Sequence, residues 1–298
     1  MNVMKYKKYY LLFSVLVLIP GVLSLLLNGL ALSIDFTGGS VFEFGFEKDM
    51  QSEADAVSDL FVQRSVHVNE VSIIGDNTVS ITTDAVDAQT GAEIKTALGE
   101  NYGQVTQKVF ETVGASVGKE TTKNAFLALA LASLGIVLYI AYAFRNIPKP
   151  YSSFKFGVSA IIAMLHDALL VLGVFSILGH FYGVRVGALF ITALLTVIGF
   201  SVHDSIVVFD RIRENLLGKM AKTTSFSDAV NYSLVETLNR SFATSLTVLL
   251  VLTSLLVLGG ESMKEFVLAL VIGIASGTYS SIFVAAPILI FWETRKNL

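Results

Sequence analysis

Ionisable residues lie inside apolar segments at several points of this 298-residue chain. His203 and Asp204 interrupt the apolar run Val186–Phe209, and His166 precedes Asp167 inside another run. A carboxylate at the centre of a membrane helix costs about 2.5–3.5 kcal/mol on insertion scales, so such residues are functional-site hypotheses by default. The chemistry that they could perform is the gain and loss of a proton or another ion.

Arg240 precedes the apolar run Phe242–Leu258, which is short for a membrane span. A helix that begins before this run would bring Arg240 into the inner leaflet, where Asp204 is the nearest acid in depth. The pattern therefore predicts a charge-compensated unit of Asp204 and Arg240, because a buried charge without its partner is costly. Two simpler alternatives stay open: Arg240 could extend to the lipid headgroups, and Asp204 could hold a static interhelical hydrogen bond.

The two imidazoles beside these acids each have two possible roles. His203 could stay neutral and donate a hydrogen bond to Asp204, or it could carry a proton itself. We favour the first role, because an imidazolium close to Arg240 would face a like charge. His203 and Asp204 lie on adjacent faces of their helix, so they meet different neighbours. His166 and Asp167 could belong to an ion path or form a structural pair that locks their helix to another.

The composition indicates a membrane protein. The chain is 53% hydrophobic and 15% charged, whereas soluble domains carry about 25% charged residues. A net charge of -3 argues against a nucleic-acid-binding protein. The chain has no Cys, and its four His residues show no metal-ligand spacing. No motif indicates an enzyme, a metal site or a cofactor.

Apolar stretches long enough to cross a bilayer, which takes about 20 residues, predict an α-helical polytopic membrane protein with six transmembrane helices. They are Leu11–Leu32, Ala125–Phe144, Phe156–Leu178, Val186–Phe209, Phe242–Leu258 and Phe266–Trp292. The first is too long for a signal peptide and lacks a cleavage site, which predicts an uncleaved anchor. Ala269, Gly273 and Gly277 repeat at four-residue spacing in the last stretch, which favours close helix packing.

The distribution of Lys and Arg predicts that both termini are cytoplasmic. The segments assigned to the inside carry Lys5, Lys7, Lys8, Arg145, Lys149, Lys155, Arg211, Arg213, Lys219, Lys222, Arg240, Arg295 and Lys296. The two short outside loops carry only Arg185 and Lys264. The predicted organisation is a cytoplasmic segment 1–10, a first helix 11–32, an extracytoplasmic domain 33–122, helices two to six with short loops in 123–292, and a cytoplasmic end 293–298.

The segment between the first two helices has the pattern of an α+β domain. Strand 41–46 is followed by a helix capped by Ser52, a hairpin with its turn at residues 75–77, a helix that begins at Asp87 and reaches about Leu98, and a last strand in 103–113. The order βαββαβ predicts a ferredoxin-like domain. Two helices cover only one face of such a sheet, so the open face is a candidate contact surface for a partner.

Six sequence blocks in order resemble those of the SecF family of protein-export membrane subunits. "IDFTGGS" follows the first helix and "VGASVGKE" precedes the second. "LHDALLVLGVFSI", "GFSVHDSIVVFDRIREN", "LNRSFATSLT" and "GTYSSIFVAAPIL" resemble the family's blocks for helices three to six. The resemblance covers nearly the whole chain. The chain departs from the family at Ala115, where Pro is usual, and at His203, where Asn is usual.

The resemblance implies half of an RND-type transporter that works with SecD in the bacterial cytoplasmic (inner) membrane. The implied partners are the SecYEG channel, with SecA and YajC, an unfolded preprotein and membrane lipid, and no nucleic acid. The implied role is to use the ion-motive force for late, SecA-independent steps of export. A passive scaffold for SecD or the channel, and a small-molecule RND-type exporter, are the alternatives.

The resemblance also assigns roles to particular residues. Asp204 and Arg240 receive the ion-coupling role, for which His203, His166 and Asp167 are further candidates. The motif Asp35, Phe36, Thr37, Gly38 and Gly39 is similar to the family's hinge between the membrane part and the external domain. An ordinary turn after a helix is the alternative for this motif, since Gly38 and Gly39 suit either.

Overall fold

The computed structural model describes residues 2–47, 50, 54–74, 77–218 and 225–294. The predicted cap Ser52, the turn residues Gly75 and Asp76, and the cations Lys219, Lys222, Arg295 and Lys296 lie outside the described residues. The described chain divides into two compact units, one of which is Leu32–Phe126 and the other of which holds the remaining helices.

Within the described residues, six helical segments are long and apolar enough to cross a membrane, which confirms the predicted class. They comprise α1 (Lys7–Asn28, after a 3₁₀ turn at Val3–Tyr6), α5 (Ala115–Ala143), α6 (Ser153–Tyr182), α7 (Ala188–Leu217), α8 (Phe226–Leu258) and the pair α9 (Lys264–Ser280) and α10 (Ala286–Thr294). The fifth membrane span is α8. It begins at Phe226, well before the apolar run that starts at Phe242, so the polar residues ahead of that run belong to the same helix.

The unit Leu32–Phe126 contains the predicted βαββαβ domain. After a helical turn α2 (Ile34–Thr37) come β1 (Gly39–Phe46), α3 (Ala54–Val62), β2 (Val68–Ile74), β3 (Thr78–Thr83), α4 (Ala88–Tyr102) and β4 (Val105–Val113). The strands form one antiparallel sheet in the order β2-β3-β1-β4. This strand order agrees with the predicted ferredoxin-like domain.

The alternation of buried apolar residues along the strands determines which face of this sheet the helices cover. Phe42, Phe44 and Phe46 of β1 are buried, as are Val79 and Ile81 of β3. They form one apolar cluster with residues of both helices, namely Val57, Phe61, Ile94 and Leu98. Successive strand residues point to opposite faces, so α3 and α4 cover the same face of the sheet.

Asp87 caps α4, and its carboxylate Oδ1 accepts a hydrogen bond from the Thr90 amide at 2.7 Å. This hydrogen bond lowers the pKa of Asp87 below its ordinary value of 3.8.

A carboxylate with a lowered pKa stabilises the folded state above its unfolded pKa, and the effect is lost as the pH falls through the folded pKa. We therefore expect the first-turn amides of α4 to be more protected in the wild type than in Asp87→Asn at neutral pH. The difference should begin to shrink as the pH falls through about 3.8 and should vanish once the pH is below the lowered pKa of folded Asp87, as measured by hydrogen exchange of both variants at each pH.

Helices α6, α7 and α9 form the interior of the helical unit, and most of its buried side chains belong to them. α1 crosses α6 where two glycines meet: a Cβ at Gly21 would lie 2.9 Å from Gly173 Cα. The sixth span is not a uniform α-helix, because Ser281–Ala285 forms a π-helical turn between α9 and α10. The sequence pattern did not indicate this turn.

A buried ion pair joins the ends of two helices. Lys155 near the start of α6 and Glu293 near the end of α10 are 2.9 Å apart, and both are less than a tenth exposed. Glu293 Oε1 also accepts from the Ser152 amide at 2.9 Å, and Lys155 Nζ donates to the Trp292 carbonyl at 2.9 Å. The pair therefore satisfies an amide at the start of α6 and a carbonyl near the end of α10.

Replacing Glu293 by Gln should lower the free energy of unfolding by about 3–5 kcal/mol, because Lys155 would stay buried without its counter-charge. The matched control is Asp210→Asn, which breaks the more exposed pair between Asp210 and Arg213. That pair should contribute about 0–1 kcal/mol. Denaturant unfolding of both variants in the same detergent measures the difference, and equal losses would contradict the assignment.

Candidate functional site

Asp167 of α6 is completely buried, accepts hydrogen bonds from three serine hydroxyl groups, and lies within hydrogen-bond distance of His166. Ser201 of α7 and Ser280 of α9 donate to Oδ2 at 2.5 Å each, and Ser276 of α9 donates to Oδ1 at 2.6 Å. His166 Nδ1 lies 3.0 Å from Oδ1. One carboxylate thus joins three helices through hydroxyl groups, which is how a buried acid is stabilised without a cation nearby.

Asp204 of α7 is the second buried carboxylate of the bundle, at 7% exposure. Ser241 of α8 donates to Oδ1 at 2.8 Å, and Ser281 donates to Oδ2. No ion pair to Asp204 exists among the residues that the structure describes. Asp204 therefore links α7 to α8 and to the π-helical turn through two hydroxyl groups.

Consecutive serines connect the two acids. Ser280, the last residue of α9, donates to Asp167, and Ser281, the first residue of the π-helical turn, donates to Asp204. Each serine also has a nearby carbonyl oxygen, Gly277 O at 3.3 Å for Ser280 and Thr278 O at 3.2 Å for Ser281. π-helical turns are often found at functional sites. A change in the charge of either acid would therefore act on the same short segment.

The ion pair predicted between Asp204 and Arg240 is absent from the described chain, and this part of the prediction is wrong. Arg240 is exposed, whereas the next residue, Ser241, is buried and binds Asp204. Successive residues of a helix are about 100° apart around its axis. α8 therefore presents Ser241 to Asp204 and turns Arg240 away from it. The role of Arg240 in ion coupling stays a prediction.

His203 also points away from Asp204. It is exposed on α7, and Asp204 receives its hydrogen bonds from the two serines. The predicted hydrogen bond from His203 to Asp204 is therefore not formed, for the same geometric reason. Thr192, Thr196 and Gly199 are accessible on the same face of α7 as His203, so this exposed face has a partly polar stripe within the membrane span.

The small residues of the last span lie where α9 packs against α7. Ala269 is completely buried. A Cβ at Gly273 would lie 2.1 Å from Val197 Cγ2, and one at Gly277 would lie 3.3 Å from Ser201 Cα. The absence of side chains at these glycines brings α9 close enough for Ser276 and Ser280 to reach Asp167.

The motif from Asp35 to Gly39 forms the end of α2 and the start of β1. The Ser33 hydroxyl accepts from the Asp35 amide at 3.2 Å, and the Phe36 carbonyl accepts from Thr122 of α5 at 3.3 Å. Gly38 and Gly39 have φ of 75° and 119°. A Cβ at Gly118 of α5 would lie only 2.8 Å from the Gly38 amide nitrogen. These contacts hold the motif against the first turns of α5, and its role as a hinge stays a prediction.

The serines that bind the two acids were not predicted as functional residues, although several lie inside the quoted blocks. They are Ser201, Ser241, Ser276, Ser280 and Ser281. The available signal was spacing, because Ser276 and Ser280 lie four residues apart and so share one face of an otherwise apolar helix. Such hydroxyls pack against other helices in membranes.

Two family models match this chain. Residues 93–295 match the family model described as "Protein export membrane protein SecD/SecF, C-terminal", and residues 23–50 match the "SecD/SecF GG Motif". The chain belongs to the SecD/SecF family. The second match contains the Gly38 and Gly39 motif, and the first contains Asp167 and Asp204.

Individual relatives match this chain over nearly its whole length. A protein translocase subunit SecF from Thermobaculum terrenum is 45% identical, and the match covers 100% of this chain and 95% of the relative. A protein translocase subunit SecDF from Bacillus subtilis is 34% identical over 97% of this chain, but the match covers only 38% of that relative.

A solved structure shows the same relationship. The crystal structure of SecDF from Thermus superposes with a TM-score of 0.83 at 30% identity, and the match covers 99% of this chain and 39% of that one. SecD and SecF sequences therefore occur joined in single chains in other organisms, and this chain corresponds to the SecF part.

Proposed function

We propose that this chain is the SecF-type half of a protein-export machine, and that it forms a complex with SecD to couple ion movement to late, SecA-independent steps of preprotein export. The observation that carries the proposal is Asp204, a buried acid inside a membrane span that is held by hydroxyl groups alone in the described chain. An acid without a fixed counter-cation can gain and lose a proton without breaking an ion pair.

The joined SecD and SecF sequences of other organisms support the partnership with SecD. The exposed side chains of His203 and Arg240 support it independently. A charged group that faces lipid near the bilayer centre is costly, and such groups usually face the interior of a bundle or pair with an acid. We propose that SecD covers this face of α7 and α8 and supplies an acidic group near Arg240.

The energy available from an ion gradient is sufficient for this role. One charge that crosses 100 mV provides about 2.3 kcal/mol, and a shift of a two-state equilibrium from 1:99 to 99:1 takes about 5.5 kcal/mol. Two or three protons per cycle would therefore switch a conformation. We propose transport rather than catalysis as the activity, at the bacterial inner membrane with both termini in the cytoplasm. SecYEG, with SecA and YajC, and an unfolded preprotein complete the proposed set of partners.

The test compares export of a reporter preprotein by membrane vesicles that contain SecYEG and SecD, with and without this chain, each with and without an ionophore that dissipates the gradient. We expect the chain to increase the extent to which the gradient stimulates export. A passive scaffold would instead raise export equally in both conditions, and that result would reject ion coupling.

A further inference from the structure

We propose that Asp167 is a second proton-binding carboxylate of this chain, and that His166 carries the proton to it. The inference deepens the proposed ion coupling and rests on it for its physiological meaning. It concerns a different acid from Asp204, on a different helix. Three features of the described residues support it: the hydrogen bonds of Asp167, an alternative acceptor for Ser280, and a ring nitrogen of His166 that has no partner among these residues.

The surroundings of Asp167 favour a hydrogen-bonded carboxylate over a bound cation. Its oxygens lie 2.5–2.6 Å from the hydroxyl oxygens of Ser201, Ser276 and Ser280. These are the short distances of O–H donors to a charged acceptor. Together with His166 Nδ1, the hydroxyl groups stabilise the ionised form of the acid in a fully buried position.

The same site can accommodate the protonated acid. A carboxyl group that has gained a proton must donate it to an acceptor, and a serine hydroxyl accepts once its own hydrogen turns elsewhere. Ser280 has such an alternative, because Gly277 O lies 3.3 Å from its hydroxyl oxygen. Rotation of one hydroxyl hydrogen therefore gives a proton on Oδ2 an acceptor. A proton on Oδ1 would instead be accepted by the deprotonated Nδ1 of His166, 3.0 Å away.

His166 is the group through which a proton could arrive. It is buried at 6% exposure, and its Nε2 has no hydrogen-bond partner among the described residues, although its Nδ1 is 3.0 Å from Asp167. A buried polar atom without a partner is costly, so an unpaired Nε2 calls for an explanation. If Nδ1 carries the hydrogen that Asp167 accepts, Nε2 is the basic nitrogen and is ready to take a proton.

A cleft of about 280 Å³ between α1, α6 and α9 adjoins this imidazole. It is lined by His166, Phe13, Ser14, Val17, Ile272 and Tyr279, among others. A single water needs about 30 Å³, so the cleft has room for water. The hydroxyl groups of Ser14 and Tyr279, two of its lining residues, lie 3.1 Å from each other.

Few charged groups compete for this proton. In the described chain, the titratable groups that face His166 are Asp167 on its own helix and Tyr279 of α9, whose ring centroid is 6.5 Å away. α1 contributes the hydroxyl of Ser14 and no charge, and α7 contributes Ser201 through Asp167. Asp167 is therefore the negative charge that would stabilise a transient imidazolium.

The transfer conserves protons. When a local opening admits water to the covered Nε2 of His166, a hydronium ion protonates Nε2 and becomes water, after which the Nδ1 proton of the imidazolium passes to Asp167 Oδ1. The imidazole is then neutral with its hydrogen on Nε2, and the carboxyl group has gained one proton. Reversal of the two steps returns the proton to the cleft.

The experiment uses the chain co-purified with SecD in lipid nanodiscs. Infrared absorption of protonated carboxyl groups is followed as the pH is lowered, both at equilibrium and after a rapid pH jump. We expect a protonated carboxyl component that is lost in Asp167→Asn and retained in Asp204→Asn. In His166→Asn the component should be retained at equilibrium but should form at least about tenfold more slowly, since a positioned proton carrier contributes about 10²–10⁴-fold in rate.

His166→Asn is chosen because the Asn amide nitrogen takes the approximate place of Nδ1 and still donates to Asp167, yet it cannot carry a proton. His180→Asn is the matched control, since His180 is an exposed histidine in the last turn of the same helix. It should leave both the component and its rate unchanged. If Asp167→Asn does not assemble with SecD, the rate at which the protonated carboxyl component forms in His166→Asn still tests the inference.

Retention of the carboxyl component in Asp167→Asn, or an unchanged rate in His166→Asn, would overturn the inference. The outcome is separable from that of the proposed function, which depends on export in the Asp204 variant. Loss of coupled export in Asp204→Asn without an Asp167 component would reject only the second site. An Asp167 component together with normal export in Asp204→Asn would reject only the coupling role of Asp204.

Discussion

Asp204→Asn is expected to abolish the part of preprotein export that depends on the ion gradient, while export driven without the gradient continues. Asparagine keeps one oxygen acceptor for Ser241 but cannot lose or gain a proton. Its amide nitrogen would face Ser281, whose hydroxyl can turn to the Thr278 carbonyl at 3.2 Å. The bundle should therefore tolerate the change, and the loss should be one of function rather than of folding.

The expected effect is large because a whole charge is removed from the cycle. A charge that moves through 100 mV changes an equilibrium by about 2.3 kcal/mol, or about fiftyfold. Export of a reporter by vesicles that contain SecD is measured with and without an ionophore. The control is Asp228→Asn, in the first turn of α8, where the carboxylate is exposed and accepts from Ser225. Gradient-dependent export at the wild-type rate in Asp204→Asn would show that the acid does not couple ions.

Gly39→Ala is expected to destabilise the βαββαβ domain more than any other single methyl group added to its glycines. Gly39 has φ of 119°, and a Cβ there would lie 2.5 Å from the Thr83 carbonyl oxygen of the neighbouring strand β3. Strained backbone at a non-glycine residue costs about 1–3 kcal/mol, and the clash with β3 adds to this cost. Proline at this position would be worse, because its φ is fixed near −65°.

Two other glycines of the same domain separate these contributions. Gly103 has φ of 83° and open space around its Cα. Gly103→Ala should therefore show only the cost of the strained backbone, without a steric clash. Gly99 lies within α4 with open space around it, so Gly99→Ala should stabilise the domain by about 0.5–1 kcal/mol. Protection of the β1 and β3 amides from hydrogen exchange ranks the stability of the domain in the three glycine variants. Equal protection in Gly39→Ala and Gly103→Ala would show that the contact with β3 is relieved without cost.

Much of the fold follows from local patterns in the sequence. Apolar length predicts the six spans because a bilayer core sets a minimum helix length. Alternation and turn residues predict the βαββαβ order because strands and helices have different periods. The spacing of Ala269, Gly273 and Gly277 predicts a closely packed helix face, because residues four positions apart lie on the same face of a helix. These properties depend on a few neighbouring residues, so they can be recognised without knowledge of the partners.

The presence of acids inside the membrane was equally plain from the sequence, because a carboxylate in an apolar run is costly wherever the helix packs. Only the tertiary structure decided what these acids bind. Asp204 meets Ser241 and Ser281 and not Arg240, since one step along a helix turns a side chain by about 100° and the rotation of α8 is set by packing against α7. Asp167 gathers hydroxyls from helices far apart in the chain, and these contacts depend on crossing geometry that no local period encodes.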